Sequence, residues 1–152
     1  MNQKILSSCL ALVLGAGVGY ALDAYAQAKP EVLVKQRQAV MILHGKYWGP
    51  LGGMAKGKVP YNAEIVARNA RFLDALSQMP WDGFHPSTKD AQNTKALPAV
   101  YDDPAKFKEA QDRYRAAIGK LVAAGDEGAF KAAAGEVGKS CGGCHNDFRA
   151  KK

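Results

Sequence analysis

Two cysteines and a histidine near the C-terminus are the residues of this chain best suited to chemistry. They lie in the run Cys141-Gly142-Gly143-Cys144-His145, where the thiols are three residues apart and the imidazole follows directly. On a helix, positions i, i+3 and i+4 share one face. This spacing is typical of covalent haem attachment, with Cys141 and Cys144 forming the thioether bonds and His145 ligating the iron.

Two other chemistries also use closely spaced cysteines. A redox dithiol is expected near a βαβ unit, whereas the residues before Cys141 have helical periodicity. A zinc site needs two further ligands, and neither His44 nor His85 belongs to a second paired motif. The sequence therefore favours one covalently bound haem c per chain.

The N-terminus has the features of a signal peptide. Lys4 gives a positive start, residues 5–20 are almost all apolar or small, and Ala24-Tyr25-Ala26 fits the small-residue cleavage pattern. A retained membrane anchor is the alternative, but the apolar run is short for a span. We predict a signal peptide over 1–26, removed after Ala26 (a cut after Ala28 also fits), export of the domain 27–152, and no stable membrane insertion.

Composition and charge fit one exported domain. The chain has 152 residues, of which 47% are hydrophobic and 23% charged, with a net charge of +7. Removing residues 1–26 takes away one Lys and one Asp and leaves the charge unchanged. Cys9 is lost with this segment, so we expect no structural disulfide. Nucleic acid is not an expected partner, because the lysines are scattered; the charge favours acidic partners instead.

Four helical patterns predict an all-α fold, an antiparallel four-helix bundle around one covalent haem. They run from about Pro30 to Leu51, from the N-cap Asn62 to Met79, from the N-cap Asp103 to Gly125, and from Asp126 to the haem motif. The segment from Trp81 to Tyr101 lacks helical periodicity. We expect it to cross the bundle and to pack Trp81 and Phe84 over the core.

Each predicted helix has an inward stripe with helical spacing. The stripes are Leu33, Arg37, Val40, Met41, His44, Trp48 and Leu51; Ile65, Val66, Asn69, Phe72, Leu73 and Leu76; Phe107, Gln111, Tyr114, Ile118, Leu121 and Val122; and Phe130, Ala134, Val137, Cys141, Cys144, His145 and Phe148. The haem motif therefore faces the core. Arg37 is a lone charge on its stripe, so its head either reaches solvent or meets a haem propionate.

The function depends on the sixth coordination position of the iron. The candidate side chains are Met41, Met54, Met79, His44 and His85. Antiparallel pairing of the first and last helices favours Met41 on the distal side. If its sulfur ligates the iron, the protein is a low-spin electron carrier. If it only packs there, the iron is five-coordinate and open to small neutral diatomic molecules.

Several motifs, spread over nearly the whole mature chain, resemble the cytochrome c prime family, the class II c-type cytochromes. The haem motif followed by Phe148-Arg149 is the most specific of them. The others are Lys29-Pro30-Glu31, Lys35-Gln36-Arg37-Gln38, Gly57-Lys58-Val59-Pro60-Tyr61, and Met79-Pro80-Trp81 with Phe84.

The resemblance implies a periplasmic homodimer whose pentacoordinate high-spin haem binds NO and CO, and which can exchange electrons with a redox partner rather than act as an enzyme. It implies that Cys141 and Cys144 attach the haem and that His145 is the proximal ligand. It implies further that Arg149 lies on the proximal side and Arg37 near the propionates, and that Met41 crowds the distal side. Trp81 and Phe84 are expected to contact the haem.

Overall fold

The computed structural model describes residues 28–151. The predicted signal peptide, with Cys9 and the cleavage site after Ala26, lies outside the described residues.

Four long helices and one short helix make up the described part of the chain. They are α1 (Pro30–Ala55), α2 (Ala63–Leu76), the short α3 (Ala99–Asp102), α4 (Pro104–Val122) and α5 (Glu127–Phe148). Helix α1 packs against α2 and α5, and α4 packs against the same two helices, so the four long helices close into a bundle. The predicted all-α four-helix bundle is confirmed.

Side-chain caps fix the starts of three long helices. Asn62 accepts a hydrogen bond from the Ile65 amide at 2.9 Å, and Asp103 accepts one from the Lys106 amide at 3.0 Å. Asp126 caps α5 in the same way, through the Ala129 amide at 2.8 Å. Each cap satisfies an N–H group that has no partner within its helix, and all three lie where the sequence predicts them.

Helix α1 is longer than predicted. It continues through Pro50 to Ala55 instead of ending at Leu51. Pro50 removes one backbone donor, but Leu51 and Met54 are buried in the core of the bundle. Tertiary packing of these two side chains stabilises the extra turn, because burial outweighs a weak local propensity.

Helix α2 is shorter than predicted, and α4 also ends early. Helix α2 ends at Leu76 rather than Met79, and α4 ends at Val122 rather than near Gly125. After α2, the Trp81 indole Nε1 donates to the Ser77 carbonyl at 2.6 Å. This bond satisfies a carbonyl at the helix end and turns the chain into the crossover.

The predicted stripes are correct for most of the core but wrong at a few positions. The residues buried as predicted are Arg37, Val40, Leu51, Val66, Asn69, Leu73, Leu76, Phe107, Tyr114, Ile118, Leu121, Phe130, Ala134, Val137 and Phe148. Phe72, Val122, Met41 and His145 are exposed instead. Phe72 packs its ring from outside against Tyr47, at 4.8 Å between centroids, and Val122 is the last residue of α4.

The crossover after α2 is more ordered than the sequence suggested. It contains two 3₁₀ turns, Asp82–Phe84 and Pro86–Thr88, followed by α3. Trp81 and Phe84 stack at 6.3 Å between ring centroids, and both rings pack against Phe107. The prediction that these two aromatic residues pack over the core is confirmed.

Three consecutive residues of α1 hold the crossover in place. Gln36 donates to the Asp82 carboxylate at 3.1 Å, and Gln38 donates to the Asn93 carbonyl at 2.7 Å. Arg37, between them, donates to the Gly83 carbonyl at 2.8 Å. The chain approaches so closely that a Cβ on Gly83 would lie 2.9 Å from both the Arg37 Cβ and the Leu33 carbonyl oxygen.

Across residues 28–151, no helix combines the length and the apolar character needed to cross a membrane.

The Gly83 contact generates a stability prediction. Gly83→Ala forces the crossover away from α1, so we expect the free energy of unfolding in urea to fall by about 1–3 kcal/mol. Gly135→Ala is the matched control, because a Cβ there meets nothing within 4 Å on a helix, and it should leave stability unchanged or raise it by up to about 1 kcal/mol. Equal stability of Gly83→Ala and the unmodified protein would contradict the close approach.

Candidate functional site

The predicted haem motif lies in the last two turns of α5. Cys141 and Cys144 are half-buried, and His145 is exposed. Cys141 packs against the main core of the bundle, whereas Cys144 packs against a second cluster that includes Phe107 and Phe148. A Cβ on Gly142 or Gly143 would meet nothing within 4 Å, so the backbone between the cysteines is free of contacts.

The two thiols are not activated for redox or metal chemistry. Burial raises the pKa of Cys141, and burial together with the neighbouring Cys141 and Asp147 raises the pKa of Cys144 to about 11. Reactive and metal-binding cysteines need a lowered pKa because the thiolate is the reacting form. Among residues 28–151, moreover, no group of three or more His, Cys, Asp or Glu side chains could hold a metal ion. Both thiols are therefore protonated at neutral pH.

A close contact sets the register of α1 on α5. A Cβ on Gly138 would lie 3.9 Å from Cζ2 of the Trp48 indole. Seven residues are about two helical turns, so a step of seven keeps a residue on nearly the same side of its helix. Because α1 and α5 are antiparallel, Met41, which is seven residues before Trp48, lies at the same level as His145, which is seven residues after Gly138. The register therefore places Met41 of α1 opposite His145 of α5.

Met41 and His145 are also the two residues of the predicted inward stripes of α1 and α5 that the structure leaves exposed. Met41 is 37% exposed, although Val40 beside it is buried, and His145 is exposed between the half-buried Cys144 and the buried Phe148. Each of the two lies at the edge of the apolar face of its helix, and their role on either side of a haem iron stays a prediction.

The charge state of His145 suits metal ligation. Partial desolvation and then the positive charge of Arg149 lower the pKa of His145. The imidazole is therefore neutral at pH 7, and neutral imidazole is the form that binds metals. Arg149 follows one turn later, where its amide donates to the His145 carbonyl at 3.3 Å. The predicted association of Arg149 with the side of His145 is compatible with this arrangement.

His44, one turn from Met41 on α1, has an unpartnered nitrogen. Its Nδ1 lies 2.9 Å from the Val40 carbonyl, which can only accept, so Nδ1 carries the proton. Nε2 is buried and has no hydrogen-bond partner among the described residues, and the ring packs against Tyr114 at 5.6 Å. Burial lowers the pKa of His44. The bundle therefore contains a neutral imidazole with an acceptor nitrogen and no free donor.

Arg37 is a buried cation without a carboxylate. Its side chain is almost wholly buried, at 3% exposure, which rules out a head that reaches solvent. Beyond Gly83, its guanidinium donates to three hydroxyl groups at 2.7–3.2 Å, those of Thr88, Thr94 and Tyr101, and it lies 4.4 Å from the centre of the Phe84 ring. All these partners are neutral. A buried charge of this kind is costly unless an anion accompanies it.

The other candidate ligands lie in different parts of the fold. Met54 is buried in the main core, about 20 Å along α1 from Met41 at 1.5 Å per residue. Met79 is exposed after the end of α2. His85 is exposed in the crossover, where its Nδ1 pairs with the Ser87 hydroxyl at 2.9 Å. The structure brings only Met41, with His44 one turn away, to the level of the haem motif.

Sequence reasoning missed the residues that hold Arg37. Thr88, Thr94 and Tyr101 belong to no helical stripe, and Gly83 was not recognised as a close contact. The only sequence signal was Arg37 itself, because a charge on an apolar stripe requires polar partners.

The residues of the site fit a haem with carboxylate side chains. The two thiols lie beside uncrowded glycines, and a neutral imidazole follows the second thiol. The hydrogen bonds of Arg37 use Nη1 and Nη2 only, so its Nε donor is available for a carboxylate, since a guanidinium has five N–H donors. The buried positive charge, the neutral imidazole and the paired thiols all fit this group.

Comparisons with known proteins agree with the fold and the motif. The sequence profile of the family Cytochrome C' matches residues 32–149. Cytochrome c' of Rubrivivax gelatinosus is 41% identical over 126 residues, which cover 81% of this chain and 98% of the relative. The crystal structure of cytochrome c' from Rubrivivax gelatinosus superposes with a TM-score of 0.77 at 40% identity, over 80% of this chain and 98% of that one.

A further solved structure bears on ligand chemistry. It is the nitric oxide complex of a mutant of cytochrome c prime from Alcaligenes xylosoxidans, with a TM-score of 0.74 and 38% identity. The match covers 82% of this chain and 98% of that chain.

Proposed function

Because the chain belongs to the cytochrome c' family, whose members carry covalent haem c, we propose that Cys141 and Cys144 form the thioether bonds to this haem and that His145 is the proximal ligand of its iron. When bound, the haem supplies an iron centre that takes up a diatomic gas or an electron. The remaining roles belong to residues of the chain itself.

The observation that supports this function best is the position of Met41 opposite His145. We propose that the Met41 side chain crowds the distal side without ligating the iron, which leaves a pentacoordinate high-spin centre for NO and CO. The nitric oxide complex of a mutant of the Alcaligenes relative supports gas binding in this fold. A ligand that enters must displace Met41 from its packing, which costs free energy.

His44 adds a reason for discrimination against O₂. Bound O₂ is bent and polar, and a hydrogen-bond donor stabilises the negative charge it acquires. The proton of His44 is engaged by the Val40 carbonyl, and the buried Nε2 can only accept. The distal side therefore offers O₂ no donor from this residue, while NO binds ferrous haem strongly without one.

Arg37 and three other side chains complete the proposed site. Arg37 provides the positive charge for a propionate, since its guanidinium is buried among neutral partners only. Arg149 is proposed for the proximal side, one turn after His145. Trp81 and Phe84 are proposed to contact the haem from the crossover, where they join the cluster against which Cys144 packs.

The second candidate function is a low-spin electron carrier with Met41 as the sixth ligand. The same position of Met41 opposite His145 favours it, because a methionine thioether is a known axial ligand of c-type haem. In both cases the role is gas binding or electron transfer rather than enzymatic catalysis.

We propose that the protein is exported to the periplasm and forms a homodimer. The signal peptide predicted over 1–26 supports export, and Ile42, at 72% exposure on the outer face of α1, supports an association surface. The exported protein should begin at Gln27 in N-terminal sequencing and have twice the chain mass in sedimentation equilibrium. A retained N-terminus would contradict the proposed export, and a monomer would contradict the proposed homodimer.

Replacement of the distal side chain tests the gas-binding proposal. Met41→Ala removes the crowding group, so CO association with the ferrous protein, measured by flash photolysis, should become faster by on the order of tenfold or more, equivalent to about 1.4 kcal/mol. Met79→Ala is the control, because Met79 is an exposed methionine after the end of α2, away from the α1 position of Met41.

The two candidate functions give different results in this experiment. With Met41 as crowding group, the unmodified ferrous protein is already high-spin, and only the rate changes in Met41→Ala. With Met41 as ligand, the substitution converts a low-spin spectrum into a high-spin one. An unchanged CO rate in Met41→Ala would exclude Met41 from the distal side altogether.

A further inference from the structure

A short segment of the crossover connects the two arginines of the site. The Thr94 hydroxyl accepts a hydrogen bond from Nη2 of Arg37 at 2.7 Å and another from the Ala96 amide at 3.1 Å. A hydroxyl oxygen has two acceptor lone pairs, so both bonds form at once. Hydrogen bonds from a charged donor are stronger than those between neutral groups. The bond from Arg37 therefore fixes the Thr94 hydroxyl oxygen, which in turn accepts the hydrogen bond from the Ala96 amide.

The residues next to Thr94 pair directly with the end of α5. Ala96 forms an isolated antiparallel bridge with Arg149. The Leu97 amide donates to the Phe148 carbonyl at 2.9 Å, and the Ala150 amide donates to the Lys95 carbonyl at 2.8 Å. Arg149 is extended, with φ −128° and ψ 129°. The backbone of Arg149 is therefore held on one side by its own helix, through His145, and on the other by the crossover.

These contacts form one continuous path through three elements. It runs from Arg37 on α1, through the Thr94 hydroxyl and the Ala96 amide, to the backbone of Arg149 after α5. Arg149 follows His145 by one helical turn, and its amide donates to the His145 carbonyl at 3.3 Å. We propose that Thr94 is a positioning residue that fixes Arg149 beside His145 and makes that position depend on Arg37.

This inference rests on the proposed function for its consequence, but not for its geometry. If Arg37 meets a haem propionate, the path links the haem edge at α1 to the proximal side of the iron at α5. The Gln38 bond to the Asn93 carbonyl at 2.7 Å fastens the crossover independently. Loss of the Thr94 hydroxyl should therefore loosen the segment locally and leave the bundle folded.

The experiment compares Thr94→Val, Thr94→Ser and Thr88→Val in the haem-loaded protein. Thr94→Val keeps the shape and removes the hydroxyl, and Thr94→Ser restores the hydroxyl. Thr88→Val is the matched control, because Thr88 also binds Arg37, at 3.1 Å, but its other bonds run to His85 and Tyr101. Only Thr94 joins Arg37 to the segment paired with Arg149.

The first readout is amide hydrogen exchange at Leu97 and Ala150, whose N–H groups flank the bridge. Thr94→Val should raise both exchange rates by on the order of tenfold, as loss of one such hydrogen bond allows. Thr94→Ser and Thr88→Val should leave them near the original rates. Unchanged rates in Thr94→Val would overturn the positioning role, and so would an equal rise at the core residue Ile118, which would mean global destabilisation.

The second readout is the iron–histidine stretching band of the ferrous protein in resonance Raman spectra. The band should shift in Thr94→Val and keep its original frequency in Thr94→Ser and in Thr88→Val. If both threonines only stabilised the fold, Thr94→Val and Thr88→Val would affect the band in the same way. A band that does not move in Thr94→Val would overturn the link to His145. Absence of the band in the unmodified protein would instead mean that the ferrous haem is not five-coordinate with a histidine ligand, which would contradict the proposed function, while the exchange rates still decide the role of Thr94.

Discussion

The arrangement of this bundle depends on the burial of the Arg37 guanidinium among neutral oxygens. An isolated charge in a protein interior costs several kcal/mol unless its surroundings compensate for it, and no carboxylate among the described residues forms an ion pair with Arg37. The crossover supplies four oxygens instead. The path of the crossover over the end of the bundle therefore follows from the hydrogen-bond acceptors that Arg37 requires. The guanidinium keeps its positive charge available for one anion.

The second constraint is the register of α1 on α5. The contact between Trp48 and Gly138 marks it, because a Cβ on Gly138 would lie in van der Waals contact with the indole, at 3.9 Å. Two turns further, the same register brings a flexible thioether and a neutral imidazole to the same level of the bundle. In the proposed site, the identity of these two residues, rather than the fold, determines whether a sixth position is open.

Much of this was predictable from local sequence. Asn62, Asp103 and Asp126 mark the helix starts because short polar side chains cap helices whatever surrounds them, and the haem motif is recognisable because its chemistry requires adjacent residues. The exposure of Met41, the extension of α1 past Pro50 and the partners of Arg37 were not predictable. Each depends on residues distant in sequence: the packing of α1 against α5, the core around Leu51 and Met54, and the crossover hydroxyls.

We propose that the iron of this protein has His145 on one side and a crowding, non-ligating Met41 on the other. The most direct measurement is the visible absorption spectrum of the purified ferrous protein at neutral pH without added gas. The account predicts broad, unsplit bands of a five-coordinate high-spin haem. Sharp, resolved α and β bands of a six-coordinate low-spin haem would contradict it.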